Sequence, residues 1–98
     1  MAIEVTLVDA DTYEVVVGGS RGGSAGAAGV ETTHRVRMSQ AYYRQLCGGR
    51  VTHEWVIVQS FRFLLEREPS SSILPEFDLP TIGRYFPEFE TEMAARLR

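Results

Sequence analysis

Lysine is absent from this 98-residue chain, cysteine occurs once and histidine twice. Each shortage excludes a class of chemistry. The lone Cys47 cannot close an internal disulfide, and neither His34 nor His53 has a second His or Cys three or four residues away to form a zinc-type ligand pair. A phosphate-cradling P-loop needs a Lys after its glycines, and none follows Gly23. No apolar run approaches the roughly 18 residues of a membrane span, and the opening Met-Ala-Ile-Glu-Val has neither the basic start nor the apolar stretch of a signal peptide. The expected compartment is therefore the cytoplasm, with no membrane, metal or cofactor implied.

The charge balance narrows the partners. Ten basic residues, all Arg, stand against 13 acidic ones for a net charge of −3, whereas a surface built wholly around a polyanion would be basic. Arg preference fits bidentate pairing with carboxylates or phosphates, and high-GC codon usage produces the same bias. With 44% hydrophobic and 23% charged residues the composition is that of an ordinary globular domain. The length suits a single domain over 1–98 with one hydrophobic core.

What is present reads as strands first and helices after. Ile3, Val5 and Leu7 alternate with Glu4 and Thr6, and Tyr13, Val15 and Val17 alternate with Glu14, the period-two pattern of strands, with a turn at Asp9–Thr12. Residues 18–29 hold six glycines and nothing larger than Ala except Arg21, a composition expected to form a flexible loop. A third strand, Thr32 to Met38, places His34, Val36 and Met38 on one face and Thr33, Arg35 and Arg37 on the other. The expected fold is α+β, with an N-terminal antiparallel three-stranded meander followed by a helical C-terminal two thirds.

Ser39 is a good N-cap for Gln40 to Cys47, which Gly48-Gly49 ends. Thr52 caps a longer helix, predicted to run to Glu68 before Pro69. That helix is apolar over most of its circumference, through Trp55, Val56, Ile57, Val58, Phe61, Phe63, Leu64 and Leu65. Such a helix is central in the core or shared with a partner. The tail is expected to break into short helices: Ile73 to Phe77 capped by Ser72, Leu79 to Phe86 capped by Asp78, and a last one opened by Pro87 with the stripe Phe89, Met93 and Leu97.

Catalytic patterns are weak throughout. Gly18 to Gly22 and Gly22 to Gly26 both match Gly-x-Ser-x-Gly, but a nucleophile elbow needs a helix at once and glycine continues to Gly29 instead. Cys47 reads as a small buried hydrophobe, His34 as a core-face residue and His53 as a surface one. Glu88, Glu90 and Glu92 suit a helix's first turn. Tyr85, Phe86 and Phe89 around Pro87 are read as packing against the long helix, with an aromatic peptide groove as the other reading. No enzyme is expected.

The stretch Thr33 to Glu68 has the order strand, short helix, turn, longer helix, and it resembles the ribbon-helix-helix DNA-binding domain. In that resemblance Arg35 and Arg37 take the outward strand positions that reach base edges. Gly49 to Val56 takes the turn and second-helix start whose amides grip a phosphate, with Thr52 at the cap. The resemblance implies DNA as partner and a regulator or antitoxin-type role. A wider one, carried by Ser60 to Pro69, Ser72-Ile73-Leu74, Phe77-Asp78-Leu79 and Tyr85 to Glu90, is to a family of small uncharacterised bacterial proteins, and it implies no activity.

The leading expectation is a non-catalytic module that binds another protein, self-association being its simplest form. Its candidate interaction surface is Trp55, Val58, Arg62 and Tyr85. The alternatives are a DNA-binding regulator contacting through Arg35, Arg37 and Thr52, and a small-ligand-binding protein.

Overall fold

The computed structural model describes residues 2–18 and 31–97. Alternating side chains build the sheet first. Strand β1 (Ala2–Leu7) pairs antiparallel with β2 (Thr12–Gly18), and β2 with β3 (Thr32–Arg37). Between the first two, the Val8 and Asp9 amides both donate to the Thr12 carbonyl, closing the expected turn. Tyr13, Val15 and Val17 are buried together with His34 and Val36, while Thr33, Arg35 and Arg37 are exposed. One face of the sheet therefore meets the core and the other meets solvent. The glycine-rich loop expected at 18–29 lies outside the described residues except for Gly18, which ends β2 opposite Ala2.

The sheet is four-stranded and mixed, not the three-stranded antiparallel meander expected from the sequence. A short strand β4 (Glu76–Asp78) runs parallel to β3, with Arg35 opposite Glu76, Val36 opposite Phe77 and Arg37 opposite Asp78. The expected helix Ile73 to Phe77 is replaced by a single 3-10 turn at Ser70–Ser72 and then extended chain. The reason is hydrogen bonding. The β3 backbone groups that point away from β2 need partners, and the Arg35 amide finds one in the Pro75 carbonyl at 2.7 Å. Pro75 has no amide to give a helix but has a carbonyl to give a sheet.

Helix α1 (Gln40–Cys47) forms where expected. Ser39 Oγ accepts from the Tyr42 amide at 3.1 Å, and Gly48 takes the left-handed conformation at φ 64°. Helix α2 (His53–Leu65) starts under Thr52, whose Oγ1 accepts from the Trp55 amide at 3.1 Å. It ends three residues before the expected Glu68, where the Arg67 and Glu68 amides both turn back to the Leu64 carbonyl. These two helices form the crossover from β3 to β4. Beyond β4, the helix expected to run from Leu79 to Phe86 is a 3-10 turn (Leu79–Thr81) and one helical turn, α3 (Ile82–Tyr85). Asp78 does not cap it; its carboxylate accepts from Arg37 Nε at 2.9 Å instead.

The last helix, α4 (Phe89–Arg96), docks as its stripe predicts, with Phe89, Met93 and Leu97 all buried. Phe63 of α2 receives it edge-on, 5.2 Å from Phe89 and 5.9 Å from Phe86. The acidic first turn is occupied by partners: Glu88 accepts from Arg67, Glu90 from the Tyr42 hydroxyl, and Glu92 lies 3.7 Å from Arg96. Burial first, and then the bond to Glu90, pushes the Tyr42 phenol well above its ordinary range. The buried side chains of sheet and helices form one cluster centred on Phe61 and Phe63.

Candidate interaction surface

Helix α2 is buried on the side facing the sheet and α4 and open on the other. Trp55, Val58, Arg62 and Leu65 follow at intervals of three, four and three residues, so they form one stripe along that open side. Trp55 is 41% exposed, Val58 and Leu65 are half-buried, and Arg62 is exposed. The Arg62 guanidinium lies 5.8 Å from the centre of the Trp55 ring, which ties the charge to the apolar strip.

Strand β1 runs along this stripe and, among the described residues, is one of the two outer strands of the sheet. Ile3 shares a shallow depression of about 370 Å³ with Val58, Arg62, Leu65 and Glu66. The Val8 amide points toward β2, so by the alternation of an antiparallel pair Glu4 and Thr6 also turn their backbone groups to β2. Ile3, Val5 and Leu7 then turn theirs outward. Among the described residues no strand pairs with that edge. Leu7 continues the apolar strip of Ile3 and Val5 at 54% exposure. Proteins guard long strand edges with charged side chains, Pro or a bulge, and of these β1 has only the exposed Glu4.

The other residues singled out in the sequence lie elsewhere. Arg35 and Arg37 sit on the open face of the sheet, where Arg37 pairs with Asp78 at 2.9 Å and Arg35 lies 4.0 Å from Glu14. The bond to Asp78 is the main reason the Arg37 guanidinium holds its proton more tightly than usual. From Arg35 to Arg37, β3 is flanked by β2 and β4, so this part of the strand has no free edge for a second copy. Thr52 spends its hydroxyl on the α2 cap.

Tyr85, 67% exposed, lines a separate cleft of about 380 Å³. Leu64, Ile73, Phe77, Ile82 and Phe86 line its apolar walls, and Glu68, Ser72 and Thr81 supply its polar groups. Thus the structure brings Trp55, Val58 and Arg62 together and leaves Tyr85 apart. Sequence reasoning missed Ile3, Val5, Leu7 and Leu65 as parts of the surface, although the three-four-three spacing of the stripe was available to find Leu65.

The titratable groups do not converge. His34 is buried, with Nδ1 donating to the Leu74 carbonyl at 2.8 Å and Nε2 lying 2.9 Å from Thr32 Oγ1. His53 stacks on Tyr43 at 3.7 Å and donates from Nε2 to Gln40 Oε1 at 2.5 Å. Cys47 is buried. Among the described residues no three His, Cys, Asp or Glu side chains gather as a metal site, and no helix is long and apolar enough to cross a membrane. The chain matches no protein-family model, no curated protein and no solved structure.

Proposed function

We propose that this domain is a non-catalytic module that binds another protein through the flank formed by the β1 edge and the Trp55–Leu65 stripe of α2. One observation carries the reading. Outward-facing backbone groups on a six-residue edge strand lie beside an exposed Trp and a row of apolar side chains. The strand supplies hydrogen-bonding valence that another strand can fill, and the stripe supplies apolar area with an aromatic anchor and an Arg, the residue types that dominate binding energy. A photo-crosslinking side chain placed at Val58 is expected to capture protein, whereas the same group at Thr33, on the open sheet face, is expected to capture little. Equal capture at both positions, or none at Val58, contradicts the proposal.

The cleft beside Tyr85 favours a second reading, a site for a small apolar ligand, because its volume and lining are those of ordinary ligand pockets. An environment-sensitive apolar dye should bind the folded protein, and Leu74→Glu, at a lining residue that is 45% exposed, should weaken that binding while leaving the fold intact. Unchanged dye binding by that variant would remove the second reading.

A further inference from the structure

We infer that the occupant of this flank is a second copy of the same chain, joined antiparallel through β1 about a two-fold axis at Val5. The inference rests on the interaction reading above and adds the partner and the register. Faces stay matched only if paired residues share parity, which leaves three central registers, about Glu4, Val5 or Thr6. Centring on Glu4 sets two carboxylates directly opposite each other, which is unfavourable. Centring on Thr6 sets Glu4 against Val8. Centring on Val5 sets Ile3 against Leu7 of the second copy, Val5 against Val5 and Glu4 against Thr6. No like charges oppose, and the apolar side chains all stay on the helix face. The residues that meet as hydrogen-bonded pairs are Ile3, Val5 and Leu7, the three whose backbone groups point outward.

The helix repeats the same symmetry independently. Read antiparallel to itself, the stripe sets Trp55 against Leu65 and Val58 against the aliphatic stem of Arg62, with its centre midway between Val58 and Arg62. Helix α2 packs along β1, with Ile3 among Val58, Arg62 and Leu65. The middle of the stripe, between Val58 and Arg62, lies beside Ile3, two residues from Val5, so the two helices would flank the seam close to the strand axis. The product is a continuous eight-stranded sheet with the two α2 helices flanking the seam. Its strand contact runs from Ile3 to Leu7, about 17 Å at ~3.3 Å per residue, a short seam that the helix stripes extend. A dimer that assembles with rising concentration follows.

The register is tested by cysteine pairing in the full chain. Glu4 and the opposing Thr6 form a non-hydrogen-bonded pair with Cα atoms ~4.5 Å apart, within disulfide reach, whereas two Glu4 positions are about 8 Å apart and outside it. Under mild oxidation a mixture of Glu4→Cys and Thr6→Cys chains should give covalent dimers, and each variant alone should give few. Sedimentation of the unmodified chain should show a dimer that Trp55→Ala weakens tenfold or more. Val5→Pro, which removes an outward amide and spares the hydrogen bonds to β2 at the cost of part of the Val5 packing, should abolish the dimer while retaining the monomer's circular dichroism. A strict monomer at every concentration, or crosslinking of the single variants equal to that of the mixture, overturns the inference. If the chain stays monomeric while Val58 still captures a different protein, the interaction reading stands and self-pairing alone fails.

Discussion

Removing the Phe63 ring should cost this domain a large share of its stability. Phe63 is fully buried, its ring meets Phe89 and Phe86 edge-on at 5.2 and 5.9 Å, and the Arg67 guanidinium covers it at 3.7 Å. Phe→Ala in a core costs about 3–5 kcal/mol, and the two edge-on aromatic contacts place this site at the upper end. A 98-residue domain is stable by about 5–15 kcal/mol, so Phe63→Ala should remove about a third of that or more. Phe63→Leu, which keeps much of the volume and loses the aromatic geometry, should cost about 1–2 kcal/mol and remain measurable. Urea unfolding followed by far-ultraviolet circular dichroism and by Trp55 fluorescence gives both numbers. Combining Phe63→Leu with Arg67→Ala should reveal a coupling of about 0.5–1 kcal/mol, because Arg67 stacks on the ring as well as pairing with Glu88. A cost below about 2 kcal/mol for Phe63→Ala, or strict additivity of the pair, would refute this account of how α2 holds α4.

Other perturbations read other parts of the fold. His34→Ala strands the Leu74 carbonyl beside β3 and opens a void next to Phe61, so urea unfolding should show a loss of about 2–4 kcal/mol; a loss under 1 would mean that the histidine does not hold the β4 approach in place. Arg37→Ala removes a pair in which both side chains are 59% exposed, and it should change stability by less than about 0.5 kcal/mol; a larger loss would show that the open face contributes to the fold. The hydrogen bond from Arg96 holds the Glu66 carboxyl below its ordinary value of 4.5. A depressed carboxyl contributes stability above its unfolded pKa and loses it as pH falls through the folded one. The urea midpoint of the wild type should therefore exceed that of Glu66→Gln at neutral pH, with the gap closing below about pH 4.5; a gap constant down to pH 3 would exclude the linkage.

The parts of the fold legible in the sequence are those with long periodic signals. Alternation over Ile3–Leu7 and Tyr13–Val17 marks two strands, and Ser39 and Thr52 mark two helix starts because a side-chain oxygen there must accept an otherwise unpaired amide. Strand β4 was not legible. Three residues carry too little alternation to be seen, and Glu76–Asp78 is a strand only because β3 leaves hydrogen bonds to be filled there. For the same reason Asp78 reads as a helix cap and acts as the partner of Arg37. The candidate surface divides likewise. Trp55, Val58 and Arg62 stand out as features of one helix, but their importance comes from lying beside a sheet edge, and no local pattern states which strand is outermost. Tyr85 stands out as an aromatic residue near a proline, and the fold places it at a separate cleft.

The Arg-only basic set also takes on a structural role here that composition alone does not assign. Arg67 and Arg96 lie 3.7 and 5.7 Å from the Phe63 ring centre while pairing with Glu88 and Glu66, an arrangement that uses the flat face and the in-plane donors of guanidinium together. An ammonium group offers no such plane.

Amide hydrogen exchange reads the outer edge of β1 residue by residue. In dilute solution the Ile3, Val5 and Leu7 amides should exchange fast, while Glu4 and Thr6, bonded to β2, are slowed. Raising the protein concentration should slow the first three toward the second two. Fast exchange at Ile3, Val5 and Leu7 at every concentration would contradict the claim that this edge pairs with a second copy.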